Sequence, residues 1–130
     1  MNARGEEIAP LRLDARLRQQ LQQWRAAGLR SCAIALMHAY RNPCHELALQ
    51  RLARELGFET VVCSHQACPL PRLVPRGQTA LVEAAVSRVL HTYLAQVRGD
   101  LGEATALRVM GSSGALLDPS ALLAKDTILS

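Results

Sequence analysis

The sequence predicts an α/β domain: a small parallel sheet with flanking helices, followed by a long helix and a short hairpin. Three observations predict it. Helix-spaced apolar stripes alternate with two short apolar runs, Ser31–Met37 and Glu59–Cys63, each too short for a typical helix and bounded by turn signals. The resulting order of helix, strand, helix, strand is that of a parallel sheet with crossover helices. Beyond a proline-rich break, apolar residues recur at helical spacing from Gly77 to about Val97, and a short extended stretch with a glycine-containing turn follows.

Taken in order, Leu13, Leu17, Leu21 and Trp24 line one face of a first helix, with Asp14 as N-cap and Gly28 as the stop. Ser31–Met37 reads as a strand covered on both faces. Arg41-Asn42-Pro43 is a turn, and Pro43 suits the first position of a helix whose stripe of Leu49, Leu52, Ala53 and Leu56 closes at Gly57. Glu59–Cys63 reads as the second strand. Pro69, Pro71 and Pro75 make 64–75 a loop. The long helix carries Val82, Val86, Val89, Tyr93 and Val97 on one face, with Ala85, Leu90 and Leu94 beside it. Leu107–Met110 is a short strand, and Gly111–Gly114 is the turn of a hairpin. No internal repeat or low-complexity segment interrupts this order.

With 130 residues, 49% hydrophobic and 20% charged, the chain has room for one domain, 1–130, and is not of the disordered class. No apolar run approaches the roughly 20 residues that cross a bilayer. The opening MNARGEEIAP has no secretory pattern, so a cytoplasmic location with no membrane partner is expected. Net charge is +4, and all the basic residues except Lys125 are arginines. They are scattered among acidic residues, and aromatics are only 3% of the chain, which leaves little on which to stack bases. The expectation is therefore no nucleic acid, with an arginine-rich binding module as the rival class.

Cys32, Cys44, Cys63 and Cys68 lack paired metal-ligand spacing and read as unpaired, reduced cysteines with no metal site; zinc is the alternative. His65 and His91 read as structural. No Ser/His/Asp set and no split pair of carboxylates is visible, so the residues alone show no catalytic constellation.

Three motifs in order carry a further signal: LMHAYRNPCHE at 36–46, LARELGF leading to VVCSHQACPLPRLVPRGQT at 52–79, and LRVMGSSGALL leading to TILS at 107–130. Together they resemble the hydantoinase A and 5-oxoprolinase superfamily, and LVPRGQTA is most similar to its 5-oxoprolinase branch. The N-methylhydantoinase and acetone carboxylase branches are the alternative. The resemblance implies an internal piece of a larger enzyme with an actin-like (ribonuclease H-like) ATPase fold. Residues 13–75 would end its first lobe, 76–98 would form a connecting helix, and 105–130 would start its second lobe. It implies opening of 5-oxo-L-proline to L-glutamate with ATP hydrolysis and magnesium: phosphorylation of the amide oxygen would make a poor electrophile open to water. The implied partners are the rest of that enzyme and a small cyclic amide. The isolated chain would be inactive and bind no cofactor tightly.

The resemblance also nominates residues. Ser112, Ser113 and Gly114 lie where an actin-like hairpin turn cradles phosphate with backbone N–H groups. Ser113 stands where the family carries an acidic or amide residue, and Ala115 where it carries glycine. His38, His45 and Glu46 fall just beyond the carboxyl end of a parallel strand, the usual ligand edge of an open α/β sheet; local hydrogen bonding is their alternative role. Arg76 and Thr79 could clamp a carboxylate or phosphate, or Thr79 could satisfy a free N–H at the start of the long helix. The apolar face of that helix and the open hairpin edge point to a homo-oligomer.

Overall fold

The computed structural model describes residues 1–102 and 106–127. Thr105, where the second lobe was expected to start, and Ile128–Ser130 of the TILS motif lie outside the described residues.

Helix α1 spans Ala15–Ala26, and its N-cap is Asp14, whose Oδ1 accepts from the Leu17 amide at 2.9 Å. Strand β1 is Ser31–Ile34, α2 is Cys44–Glu55 and β2 is Thr60–Cys63. Gly28 and Gly57 close the two helices with φ of +94° and +89°, a conformation that costs glycine nothing. The two strands pair in parallel with Ser31 opposite Thr60 and Ile34 opposite Cys63, which is the α/β arrangement expected. Leu21 of α1, Leu52 and Ala53 of α2, Phe58 and Val61 form one buried cluster, joined by Leu13, Leu17, Cys32, Ile34 and Leu56.

The first strand ends at Ile34 rather than Met37 and the hairpin strand begins at Val109 rather than Leu107, and two larger boundary changes have a local reason. The stretch read as loop begins with a single helical turn, α3 (Ser64–Ala67), and the long helix α4 starts at Leu73 and runs 29 residues to Leu101, about 43 Å at the usual rise. Pro75 sits in its first turn, where the missing N–H has no intrahelical acceptor to lose, so it does not break the helix. Gly77 is needed for packing: a Cβ there would lie 3.4 Å from the Ala35 Cβ, so its absence lets α4 come close to the chain leaving β1.

The apolar stripe of α4 faces outward, as an unpartnered face would, and the helix packs through its other side. Its buried residues are Arg76, Ala80, Glu83, Ala84, Ser87 and Leu94, mostly small or polar, and α4 lies along both strands. Val82, Val86, Val89 and Tyr93 are exposed, with Val89 at 67% and Tyr93 at 60%. After α4, β3 (Val109–Met110) and β4 (Leu116–Leu117) form an antiparallel hairpin, and a 3₁₀ turn follows at Ala124–Thr127. Among the described residues no helix is long and apolar enough to cross a membrane.

Candidate functional site

The carboxyl ends of β1 and β2 lie side by side, and the chain leaving each meets the first turn of α2. Glu46, the third residue of α2, is fully buried there. One of its carboxylate oxygens accepts from the Leu36 amide at 2.8 Å and the Ser64 hydroxyl at 2.6 Å. The other accepts from the His65 amide at 3.1 Å and lies 2.6 Å from His65 Nδ1. Burial alone would push this carboxyl up, but donors from Ser64, His65 and Leu36 outweigh it and hold Glu46 below the usual carboxylate range. Both strand ends are thereby tied to one side chain.

Cys63, at the end of β2, is wholly buried and its Sγ lies 3.6 Å from the Glu46 carbonyl. Burial, reinforced by the Glu46 charge, pushes its thiol up to about 12. Cys63, Glu46 and His65 bring three ligand-type atoms within 4.8 Å of one another. The chemistry of that set does not favour a cation, because Glu46 has both oxygens engaged by protein donors and Cys63 strongly prefers the protonated form.

The loop after β1 completes the edge. His38 takes φ of +62°, rare for a residue with a side chain, and its carbonyl accepts from the Arg41 and Asn42 amides at 3.0 and 3.3 Å. Its ring lies 6.2 Å from that of Tyr40. Arg76 reaches this loop from α4: Nη2 donates to the Leu36 carbonyl at 2.5 Å, and the guanidinium carbon sits 5.6 Å from the centre of the Tyr40 ring. Arg76 is fully buried, yet its Nε and Nη1 have no hydrogen-bond partner among the described residues. Two unmatched donors on a buried cation are costly, and an anionic acceptor would satisfy them.

The remaining nominated residues are placed differently. His45 turns away from the Glu46 cluster and pairs with Glu7 at 2.6 Å. Thr79 does not satisfy a free N–H at the start of α4; its hydroxyl donates back to the Pro75 carbonyl at 3.0 Å, so the capping role is corrected. The hairpin turn Gly111–Gly114 also departs from an amide cradle. The Gly111 amide donates to Ala115, that of Gly114 to Gly111, and that of Ser112 to the Asp126 carbonyl at 2.6 Å. With those three amides engaged inside the chain, the turn is not an open row of N–H groups, and it exposes the side chains of Ser112 and Ser113.

Ser64, His65 and Tyr40 belong to the edge although the sequence did not single them out as site residues. The available signal was position: Ser64 and His65 directly follow a strand whose parallel neighbour ends at the His38 loop.

A two-stranded parallel edge, a buried arginine with donors left unmatched among the described residues, and a long helix leading to a hairpin define an α/β protein with a small parallel sheet. The hydantoinase/oxoprolinase N-terminal region matches residues 1–57 and the hydantoinase/oxoprolinase family matches residues 76–130. The chain belongs to the hydantoinase/oxoprolinase family. It is 32% identical over 119 residues to the 5-oxoprolinase of Saccharomyces cerevisiae and 37% identical over 107 residues to 5-oxoprolinase 1 of Arabidopsis thaliana. These alignments cover 90% and 79% of this chain but only 9% and 8% of the relatives' lengths. The crystal structure of the ATP-dependent caprolactamase from Pseudomonas jessenii shares the fold, with a TM-score of 0.85 at 24% identity over 98% of this chain and 19% of that one.

Proposed function

We propose that this chain is the part of an ATP-dependent cyclic amide hydrolase that joins its two lobes, and that the enzyme opens 5-oxo-L-proline to L-glutamate. The observation that carries this reading is the 32–37% identity to 5-oxoprolinases across most of the chain. In it, residues 13–75 end the first lobe of an actin-like fold, α4 connects the lobes, and the hairpin begins the second. The other partners are the remainder of that enzyme and the small cyclic amide, in a cytoplasmic setting.

Bound magnesium-ATP supplies a phosphoryl group that activates the otherwise unreactive amide carbonyl. The residues present fit an anionic group in two places. Arg76 holds two donor nitrogens without acceptors among the described residues at the strand edge, and Ser112 and Ser113 present hydroxyls at the turn, beside Gly114 with φ of +81°. Arg76 binds and orients negative charge, while Glu46, already saturated with donors, holds the edge in shape. His38, held in a strained backbone conformation, and His45 and Thr79 on the flanking helices contact the substrate or the facing lobe.

The test grafts residues 1–127 into the corresponding region of Arabidopsis 5-oxoprolinase 1 and measures ADP release with 5-oxoproline, a hydantoin, or acetone with bicarbonate. The reading expects ADP release with 5-oxoproline and at least tenfold less after Arg76→Ala. A folded chimera that responds to the hydantoin or to acetone alone would replace this reading with that of another branch.

A further inference from the structure

Helix α4 buries a second charged residue that the proposed chemistry does not use. Glu83 is 1% exposed and stands seven residues, about two turns, beyond Arg76, so the two lie on nearly the same face. A carboxylate buried in mid-helix is tolerated only when its oxygens are supplied with donors. Oε1 accepts from the Ser87 hydroxyl at 2.6 Å and the Ala124 amide at 2.8 Å, and Oε2 accepts from the Lys125 amide at 2.8 Å. Ala124 and Lys125 open the final 3₁₀ turn, where amides have no acceptor within their own helix.

From that turn the hydrogen bonds continue toward the hairpin. The carbonyl of Asp126, the next residue, accepts the Ser112 amide at 2.6 Å. Gly111 is packed against the same place: a Cβ added there would sit 3.4 Å from the Asp126 carbonyl oxygen. Glu83 thus holds the 3₁₀ turn, and the 3₁₀ turn holds the first residues of the Gly111–Gly114 loop. Arg76 does the matching work at the other site, gripping the Leu36 carbonyl at the base of the His38 loop.

We infer that Glu83 is a positioning residue that fixes the Ser112–Gly114 turn relative to the long helix, acting through Ala124, Lys125 and Asp126. That the turn meets phosphate rests on the function proposed above; that Glu83 positions it does not.

Residue-resolved amide exchange on the full chain tests the inference without any ligand. Glu83→Gln keeps the shape but turns one acceptor oxygen into a donor. The Lys125 or Ala124 amide and the Ser112 amide should then exchange about tenfold or more faster, while Val61 and Val62 of β2 keep their protection. Ser87→Ala removes a donor and leaves both oxygens for the backbone, so Ser112 should stay protected. If Glu83→Gln loosens all amides together, Ala124→Pro removes one donated N–H without touching α4 and should still expose Ser112 selectively. Unchanged protection of Ser112 in Glu83→Gln, or in Ala124→Pro when that variant is the one read, overturns the inference. Should exchange follow expectation while magnesium-ATP shifts no resonance of Ser113 in the grafted enzyme, the phosphate role of the turn fails and the positioning role stands.

Discussion

Glu46→Gln removes one charge and exchanges one carboxylate oxygen for an NH₂ group at the meeting point of both strand ends. Each oxygen serves two donors, one of which is a backbone amide, that of Leu36 or that of His65. The Ser64 hydroxyl can rotate and His65 can change tautomer to accept from the new NH₂, but neither backbone N–H can adapt. At least one buried amide is therefore left facing a donor, at about 1–3 kcal/mol, and the surviving bonds lose their charge assistance. The sum is about 2–4 kcal/mol, a large share of the 5–15 kcal/mol typical of a domain. At a urea m-value of about 2 kcal/mol/M the midpoint should fall by about 1–2 M. Urea titration followed by far-UV circular dichroism at pH 7 measures this, with the surface variant Glu55→Gln expected within about 0.5 kcal/mol of the parent chain. A loss below about 0.5 kcal/mol for Glu46→Gln would mean that the carboxylate does not tie the strand ends together.

Three further outcomes follow from the same geometry. Because Glu46 is held below the ordinary carboxylate range, the unfolded chain takes up the proton first. The associated stability is present above about pH 4.3 and is lost as pH falls through the folded value, so the urea midpoint should drop from about pH 5 to about pH 3 more steeply in the parent chain than in Glu46→Gln; equal slopes would contradict this. Cys63, a buried thiol pushed up to about 12, should resist iodoacetamide at pH 8 while exposed Cys44 reacts, and equal labelling of the two would place Cys63 at the surface. The exposed Val82, Val89 and Tyr93 face should drive self-association that Tyr93→Asp weakens at least tenfold, and a sharp monomer by sedimentation up to millimolar concentration would refute it.

The first half of the fold was legible because its signals are local. Asp14, Gly28, Pro43 and Gly57 punctuate two helices, and the short apolar runs between them have room only to be strands. The start of α4 was not legible, since three prolines within seven residues read as a break, whereas Pro75 falls where a helix has an amide to spare. Nor was its buried face. The valine stripe satisfies the periodicity rule yet stays exposed, while α4 buries small Ala80 and Ala84 together with polar Glu83 and Ser87, which are paired with each other. For the site, the strand-end position nominates Glu46 and His38 but could not show that His65, read as structural, is Glu46's direct partner from the turn that follows the other strand. Nor could it tell that His45 turns to Glu7. Such pairings depend on how two chain segments, 19 residues apart for Glu46 and His65, meet in space, which no local pattern encodes.

The enzyme proposed for this chain couples cyclic amide opening to ATP. The most direct measurement is the ratio of phosphate to glutamate released by the grafted enzyme supplied with magnesium-ATP and 5-oxo-L-proline. One phosphate per glutamate is expected, with release of both abolished when either ATP or 5-oxo-L-proline is withheld. Glutamate formed without ATP, or phosphate released at the same rate whether or not 5-oxoproline is present, would contradict it.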